Sequence, residues 1–484
     1  MNTPIRRLSV FSMILFGALM LQLTWIQGFQ AEAIREHPLN SRQYSERLTD
    51  MRGPIVIGGE NVAYSENISE ENDPPRYQRM YEGGPLYTPV VGSFRSYGAD
   101  GIEESENPLL DGTDDRLAVR NFRDVITGRE PEGARVELTI DPAVQQAGFE
   151  GFQNLGKNGA AVAIDPSSGA ILGSVSYPSY DANEVVSIEE ITNAVETFDA
   201  LSADENQPLL NRALRERYPP GSTFKVVTAA AAMENLDAGP DSTMDAPDIL
   251  ELGHPLPNAG GGSCNGGQPD TLAHSIEMSC NTSFANWAIE MGGQALADQA
   301  TEFGFNRDDE TLEVPIPAVP SLAPAEDDRN ILGRAGIGQS NVEATPLQMA
   351  MVAAGVANSG EVMRPYMVDS VRDSDRSVVT QTTPEVYSQA MSASNASTLT
   401  DMMVQVTAGD DGSGKNAAIQ GIDVAGKTGT AETGGDRGTH NWFIGFAPAD
   451  DPQVAVAVVI EHGGGSGGEL AAPIARNMME AVVL

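Results

Sequence analysis

Residues 218–235 read YPPGSTFKVVTAAAAMEN, and this stretch indicates both a fold and a reaction. From Thr223 to Asn235 it contains no Pro or Gly and is rich in Ala, which predicts a helix. Ser222 stands at the start of that helix, and Lys225 follows one turn later on the same face. Free N–H groups and the positive dipole end favour an anion beside Ser222, and a deprotonated Lys225 would activate its hydroxyl. Alone this S-x-x-K spacing is a weak signal, because a helix cap is the simpler explanation of Ser222.

Two further motifs follow, Ser279-Cys280-Asn281 and Lys427-Thr428-Gly429-Thr430. Each alone has a simpler explanation, since the first would cap a helix over 284–290 and the second would suit an exposed loop. In the order S-x-x-K, S-x-N, K-T-G the three are similar to the motif set of serine enzymes that recognise penicillin, with Cys280 in place of the aspartate of S-D-N. The set predicts catalytic residues Ser222, Lys225, Ser279 and Lys427, and substrate-binding residues Asn281, Thr428, Gly429 and Thr430.

Lysine usage supports the same residues. The chain contains four lysines, Lys157, Lys225, Lys415 and Lys427, and its other basic residues apart from His are Arg. Two of the four lysines therefore fall in the motifs. A chain that otherwise uses Arg keeps Lys where a compact amine that can lose its proton is needed.

The N-terminus carries a candidate membrane anchor. Residues 8–26 are uncharged and about as long as a helix that crosses the hydrocarbon core. Arg6 and Arg7 precede this run, so the positive-inside rule puts the short N-terminus in the cytoplasm and the remainder outside. The alternative is a cleaved signal peptide, for which 30–33 offers only a weak A-x-A-like site.

The predicted secondary structure of the chain changes near Gly133. Residues 52–57 and 62–64 predict two short strands joined by a tight turn, and 65–133 suggest a compact, loop-rich module. From residue 136 onward strands and helices alternate, which predicts an α/β or α+β domain with helices packed on a sheet. Its predicted elements are a hairpin over 160–165 and 170–175, neighbouring strands 441–446 and 454–460, and a closing helix over 471–483.

The net charge, the cysteines and the histidines bear on which ligands and cofactors the protein binds. A formal net charge of −39 makes nucleic-acid binding improbable and otherwise indicates a solvated acidic surface. Cys264 and Cys280 would face an oxidising space outside the membrane, where they would form either a disulfide or two free thiols. The histidines show no metal-binding spacing, and no G-K-[ST] follows the glycines, so neither a metal nor a nucleotide cofactor is expected.

Beyond the three motifs, the chain resembles class B penicillin-binding proteins of the actinobacterial type. The resemblance covers nearly the whole chain and implies a five-stranded antiparallel sheet between helices, preceded by an N-terminal pedestal. It divides the chain into a cytoplasmic tail and anchor (1–27), a pedestal resembling a dimerisation module (28–133) and a penicillin-binding transpeptidase domain (134–484). The supporting residues are Arg52-Gly53, 138–141 with Gln145, 211–221, 336–339 and 345–348.

The resemblance implies a D,D-transpeptidase that cross-links peptidoglycan through an acyl-serine. Ser222 would attack the penultimate D-Ala of a stem peptide, with Lys225 as base. Ser279 would relay the proton to the leaving amine, and Lys427 would hold its hydroxyl. Asn281 would bind the stem-peptide amide, and Thr428 and Thr430 the terminal carboxylate, while the N–H groups of Ser222 and Thr430 would form the oxyanion hole.

Partners and competing functions follow from the same resemblance. It implies D-Ala-D-Ala stem peptides and β-lactams as ligands, proteins of cell division or elongation as partners, and a single-pass protein with its catalytic domain outside the cell membrane. A β-lactam hydrolase or sensor on the same fold remains an alternative, opposed by Asn281, the pedestal and the single span. A division scaffold is the other, opposed by the intact motifs.

Overall fold

The computed structural model describes residues 2–26, 51–70, 73, 75–118, 120, 132–307, 312, 314–433 and 438–484. The helices in these residues are, in chain order, α1 (Asn2–Trp25), α2 (Thr88–Val91), α3 (Gly101–Ser105), α4 (Asn107–Leu110), α5 (Pro142–Leu155), α6 (Asn183–Val186), α7 (Ile191–Ala203), α8 (Arg212–Arg215), α9 (Lys225–Leu236), α10 (Leu272–Glu277), α11 (Asn281–Met291), α12 (Gly293–Glu302), α13 (Arg329–Ala335), α14 (Pro346–Ala357), α15 (Ala393–Ala408) and α16 (Gly467–Val483).

The strands in the same residues are, in chain order, β1 (Ile55–Ile57), β2 (Glu60–Asn67), β3 (Tyr77–Tyr81), β4 (Phe94–Arg95), β5 (Gly98–Ala99), β6 (Arg135–Leu138), β7 (Gly159–Ile164), β8 (Ile171–Tyr177), β9 (Thr243–Met244), β10 (Ile249–Leu252), β11 (His254–Pro257), β12 (Asp270–Thr271), β13 (Glu361–Met363), β14 (Val368–Arg372), β15 (Val378–Gln381), β16 (Val386–Gln389), β17 (Ala425–Glu432), β18 (Thr439–Ala447) and β19 (Val454–Ile460).

The segment after residue 158 contains a five-stranded sheet in the order β17-β18-β19-β7-β8, in which every neighbouring pair is antiparallel. This confirms the predicted sheet, the hairpin over 160–175 and the strands near 441–446 and 454–460. The sheet lies between helices, with α5 and α16 on one face and α14 on the other. Because both faces are covered, all residues of β19 are buried, and its sequence VAVAVVI is a continuous apolar run.

A second sheet has six strands in the order β15-β14-β6-β1-β2-β3. The predicted hairpin is present as β1 and β2, and Gly58 and Gly59 form its turn with φ of +59° and +87°. β6 pairs with β1 in parallel, and β14 pairs with β6 from the far side. The sheet takes strands from both sides of the predicted division at 133/134, since three of them, β6, β14 and β15, lie in the segment assigned to the transpeptidase domain. The segment 65–133, expected to be loop-rich, also contains β3 to β5 and α2 to α4.

α1 stands apart from both sheets. Residues Ile5–Trp25 are long and apolar enough to cross a membrane, with a hydropathy of 1.8 and none of that window buried against the rest of the chain. The predicted span over 8–26 lies almost entirely within this helix. One apolar N-terminal helix of this kind fits a single-pass membrane anchor.

Candidate active site

The S-x-x-K motif lies on the turn that begins α9. Gly221–Phe224 form a 3-10 turn that continues directly into the α-helix at Lys225, so the helix starts slightly later than predicted. Gly221 has φ of +55°, and its N–H donates to the carbonyl of Gly338 at 2.9 Å. This turn leaves Ser222 half-buried at the surface of a cleft and directs Lys225 into the interior, where it is fully buried.

The S-x-N motif occupies the connection between α10 and α11. Ser279 has φ of +66°, a left-handed conformation that is uncommon for a residue with a Cβ and that clusters at functional sites. The start of α11 is capped from another part of the chain. The buried Oδ1 of Asn258 accepts hydrogen bonds from the backbone N–H groups of Asn281 at 2.9 Å and Thr282 at 3.1 Å. Asn258 thereby holds the motif in place.

The K-T-G motif lies on β17, the edge strand of the five-stranded sheet. Side chains alternate along a strand, so Thr428, Thr430 and Glu432 share one face, and all three line the cleft. Lys427 points to the other face and is fully buried. An edge strand also keeps unpaired backbone groups, which suits the addition of an extended peptide.

Gly429 lies where β17 passes close to the turn Gly221–Phe224. A Cβ at this position would lie 2.9 Å from the carbonyl oxygen of Pro220 and 3.0 Å from Cγ2 of Thr223. A glycine is therefore required here by the packing of that turn against β17, in addition to the predicted role of Gly429 in binding substrate.

The three motifs meet at one cleft of about 830 Å³. The predicted residues that line it are Ser222, Ser279, Asn281, Thr428, Gly429 and Thr430. Lys225 and Lys427 are fully buried and are absent from this lining. The fold thus brings together three segments that are far apart in the sequence.

Lys225 makes three hydrogen-bonding contacts through Nζ. It lies 2.7 Å from the carbonyl oxygen of Ser279, 2.7 Å from Oδ1 of Asn281 and 3.2 Å from Oγ of Ser279. Burial, and then the positive charge of Lys427, lower the pKa of Lys225 well below its usual 10.5. The lowered pKa favours an uncharged Lys225, and the contacts are compatible with it, because a neutral amine has two N–H donors for the two carbonyl oxygens and a lone pair for the Ser279 hydroxyl.

Two expected contacts are not seen. Among the described residues no hydrogen bond joins Lys225 Nζ to Ser222. Lys427 Nζ donates to the carbonyl oxygen of Thr428 at 3.2 Å, whereas the Ser279 hydroxyl is held by Lys225. Burial lowers the pKa of Lys427 to about 7. Catalytic hydrogen bonds in unliganded enzymes often form only when substrate binds. The missing contact between Lys225 and Ser222 therefore describes the enzyme without substrate.

Several supporting residues were missed by the sequence analysis. Asn258 caps α11, Ser413 Oγ lies 2.7 Å from Oγ1 of Thr428, and Nε1 of Trp442 donates to the carbonyl of Pro219 at 3.0 Å. Asn258 and Ser413 lie near glycine-rich stretches that match no motif. Only a tertiary contact reveals them, since no local pattern marks them in the sequence.

The two cysteines, whose state the sequence left open, are bonded, and His440 lies on β18. A disulfide joins Cys264 to Cys280, with 5.8 Å between the Cα atoms, so one cysteine of the pair lies between Ser279 and Asn281. His440 packs against the rings of Tyr218 and His462 behind β17. Burial and the neighbouring histidine lower the pKa of His440 to about 4. Within the described ranges, no group of three or more His, Cys, Asp or Glu side chains is arranged to hold a metal ion.

Comparison with known proteins shows which family the chain resembles. Residues 159–480 match the penicillin-binding protein transpeptidase domain, and residues 52–136 match the penicillin-binding protein A dimerisation domain. The chain is 40% identical to the peptidoglycan D,D-transpeptidase PbpA of Mycolicibacterium smegmatis, over 100% of this chain and 99% of that protein. It is 39% identical to PbpA of Mycobacterium tuberculosis, with the same coverage.

Solved structures agree with these matches. The ceftriaxone acyl-enzyme of penicillin-binding protein A from M. tuberculosis superposes with a TM-score of 0.85 at 37% identity, covering 92% of this chain and 100% of that one. The penicillin G acyl-enzyme of the same protein gives a TM-score of 0.83 at 37% identity, covering 89% and 99%.

Proposed function

The chain belongs to the penicillin-binding transpeptidase family, and we propose that it cross-links peptidoglycan stem peptides through an acyl-enzyme on Ser222. It is a serine D,D-transpeptidase, and β-lactams also acylate it. The observation that supports the residue assignment is the convergence of Ser222, the 279–281 segment and β17 on one cleft, above a buried Lys225 that suits the neutral form.

In the first half-reaction, Ser222 Oγ attacks the carbonyl carbon of the penultimate D-Ala. Lys225 takes the hydroxyl proton, and the Ser279 hydroxyl, which Lys225 contacts at 3.2 Å, passes a proton to the leaving amine. The C–N bond to the last D-Ala breaks, and an ester to Ser222 remains. The N–H groups of Ser222 and Thr430 stabilise the developing oxyanion, a contribution of about 10²–10³ in rate for a donor of this kind.

In the second half-reaction, the amine of another strand attacks the ester carbonyl. That amine loses a proton to the Lys225–Ser279 pair, and Ser222 regains one as the C–O bond breaks. The product is an amide cross-link. β17, as an edge strand, would hold the donor peptide in an extended conformation, with Asn281 binding its amide and with Thr428 and Thr430 binding its carboxylate.

Intact-mass spectrometry after exposure to benzylpenicillin tests the nucleophile. The protein should gain the mass of one ligand and keep it, whereas Ser222→Ala should gain none. Ser340→Ala is a matched control, because Ser340 lines the same cleft outside the three motifs. An adduct on Ser222→Ala would overturn the assignment, and rapid release of penicilloate would favour a β-lactam hydrolase.

The same proposal places the protein in the cell membrane. α1 would span the bilayer once, with Arg6 and Arg7 on the cytoplasmic side and both sheets outside, where the protein would meet its peptidoglycan substrate and proteins of cell division or elongation. Protease added to intact spheroplasts should digest the region after α1. Complete protection of that region would contradict the orientation.

A further inference from the structure

Ser413 is a residue of the cleft that belongs to none of the three motifs. It lies on the loop between α15 and the 3-10 turn Lys415–Ala417, and it lines the cleft together with Thr428 and Thr430. Its Oγ lies 2.7 Å from Oγ1 of Thr428, which is a hydroxyl–hydroxyl hydrogen bond of normal length.

Packing on two sides holds the loop that carries Ser413. On one side the backbone N–H of Asp411 donates to Oε1 of Glu277 on α10 at 3.0 Å. On the other side Asn416 Nδ2 donates to the carbonyl of Gly468 at 2.8 Å, and a Cβ at Gly468 would lie only 2.1 Å from the carbonyl oxygen of Ser413. The Ser413–Thr428 contact is therefore built into the fold.

The hydroxyl protons of Ser413 and Thr428 determine which of the two groups can donate a hydrogen bond to a ligand. Each hydroxyl has one proton to donate, and a carboxylate only accepts hydrogen bonds. If Ser413 donates to Thr428, the proton of Thr428 is left to point into the cleft. Such a chain also polarises the second donor and strengthens its bond to an anion. Lys427, on the same strand, adds positive charge when protonated.

Resting on the proposed function, we propose that Ser413 is a positioning residue for donor recognition. It directs the Thr428 hydroxyl toward the carboxylate of the terminal D-Ala, or toward the equivalent carboxylate of a β-lactam. The residue thus sets selectivity for donors that end in an anion, and it takes no part in the acyl transfer itself.

The experiment compares acylation by benzylpenicillin with acylation by its methyl ester, which has the same reactive ring but no carboxylate. Second-order rate constants are measured for the wild type, Ser413→Ala, Ser413→Thr and the control Ser340→Ala, each with a thermal melt. Ser413→Ala should lose about fivefold to tenfold with the acid, the loss expected for one neutral hydrogen bond, and stay within about twofold with the ester. Ser413→Thr, which keeps a hydroxyl, should restore most of the preference for the acid.

Equal losses with acid and ester in Ser413→Ala would assign Ser413 a purely structural role and overturn the inference. An unchanged rate with the acid would overturn it as well. Both results leave the proposed function intact. A wild-type protein that neither ligand acylates would instead overturn the proposed function, and this inference with it.

Discussion

At the scale of single residues, the two buried lysines of the site differ in their hydrogen-bond partners. Lys225 contacts Ser279 and Asn281, and Lys427 contacts the backbone of its own strand. Arg is not a base near neutral pH, so Lys225→Arg should fold yet lose acylation by about 10²–10⁴, the usual value of general-base catalysis. Lys427→Arg should lose less, because Lys427 is not the assigned base, although an always-charged and bulkier guanidinium replaces an amine whose pKa is about 7.

The remaining lysines provide matched controls for this prediction. Lys157→Arg and Lys415→Arg should acylate nearly as the wild type does, since both side chains lie outside the cleft lining. The measurement is the rate of labelling by a fluorescent penicillin, together with a thermal melt. A labelling rate of Lys225→Arg within about threefold of the wild-type rate would refute the base assignment, since a missing base should reduce the rate far more.

Gly429 leads to a second prediction at this scale. Gly429→Ala would place a methyl group against the carbonyl of Pro220, so β17 and the nucleophile turn must move apart. Acylation by benzylpenicillin should then fall at least about tenfold, because catalysis depends on sub-ångström placement of the reacting groups. Gly239→Ala is the comparison, since no atom lies within 4 Å of its added Cβ and its φ is not positive. Normal acylation by Gly429→Ala would show that the close approach is not needed.

At the scale of elements, the disulfide ties α11 to the loop that carries Cys264. The two cysteines are separated by 16 positions, and a loop of about that length is stabilised by roughly 3 kcal/mol when it is closed. The double variant Cys264→Ala/Cys280→Ala should be destabilised by an amount of that order and should acylate more slowly, because Ser279 and Asn281 flank Cys280. Non-reducing peptide mapping checks the bond, and two alkylatable thiols in unfolded, unreduced protein would disprove it.

α10 is joined to the loop before β17 through His274. Its Nδ1 lies 2.8 Å from Asp270, its Nε2 lies 3.6 Å from Asp411, and Glu277 is also nearby. Burial alone would lower the pKa of His274, but the hydrogen bond and charge of Asp270, with help from Asp411 and Glu277, raise it above 6.5. A raised pKa means that the protonated form stabilises the fold, so this contribution is present at low pH and lost as pH rises through the folded-state pKa.

Unfolding of the wild type and of His274→Gln at several pH values tests this contact. The wild type should be the more stable of the two below pH 6.5, and the difference should shrink as the pH rises above the pKa of His274. His254→Gln, at a histidine on β11 that is exposed, serves as the comparison. A stability difference that grows with pH would contradict the sign.

At the scale of the whole molecule, the sequence predicted what depends on local pattern and on spacing. Apolar runs such as 454–460 predicted strands of the central sheet, and three short motifs predicted the residues of one cleft. It did not predict that β14 and β15 complete the N-terminal sheet, because strand pairing across more than two hundred residues leaves no local signal. For the same reason it missed Asn258 and Ser413, whose roles arise from contacts between loops.

The six-stranded sheet also sets an order of events during synthesis. β1, β2, β3 and β6 leave the ribosome early, but the outer edge of β6 has no partner until β14 has been made. An unpaired strand edge is a template for wrong association. The N-terminal sheet can therefore be completed only after Val368–Arg372 have been made, whereas β17, β18 and β19 of the other sheet are made later still.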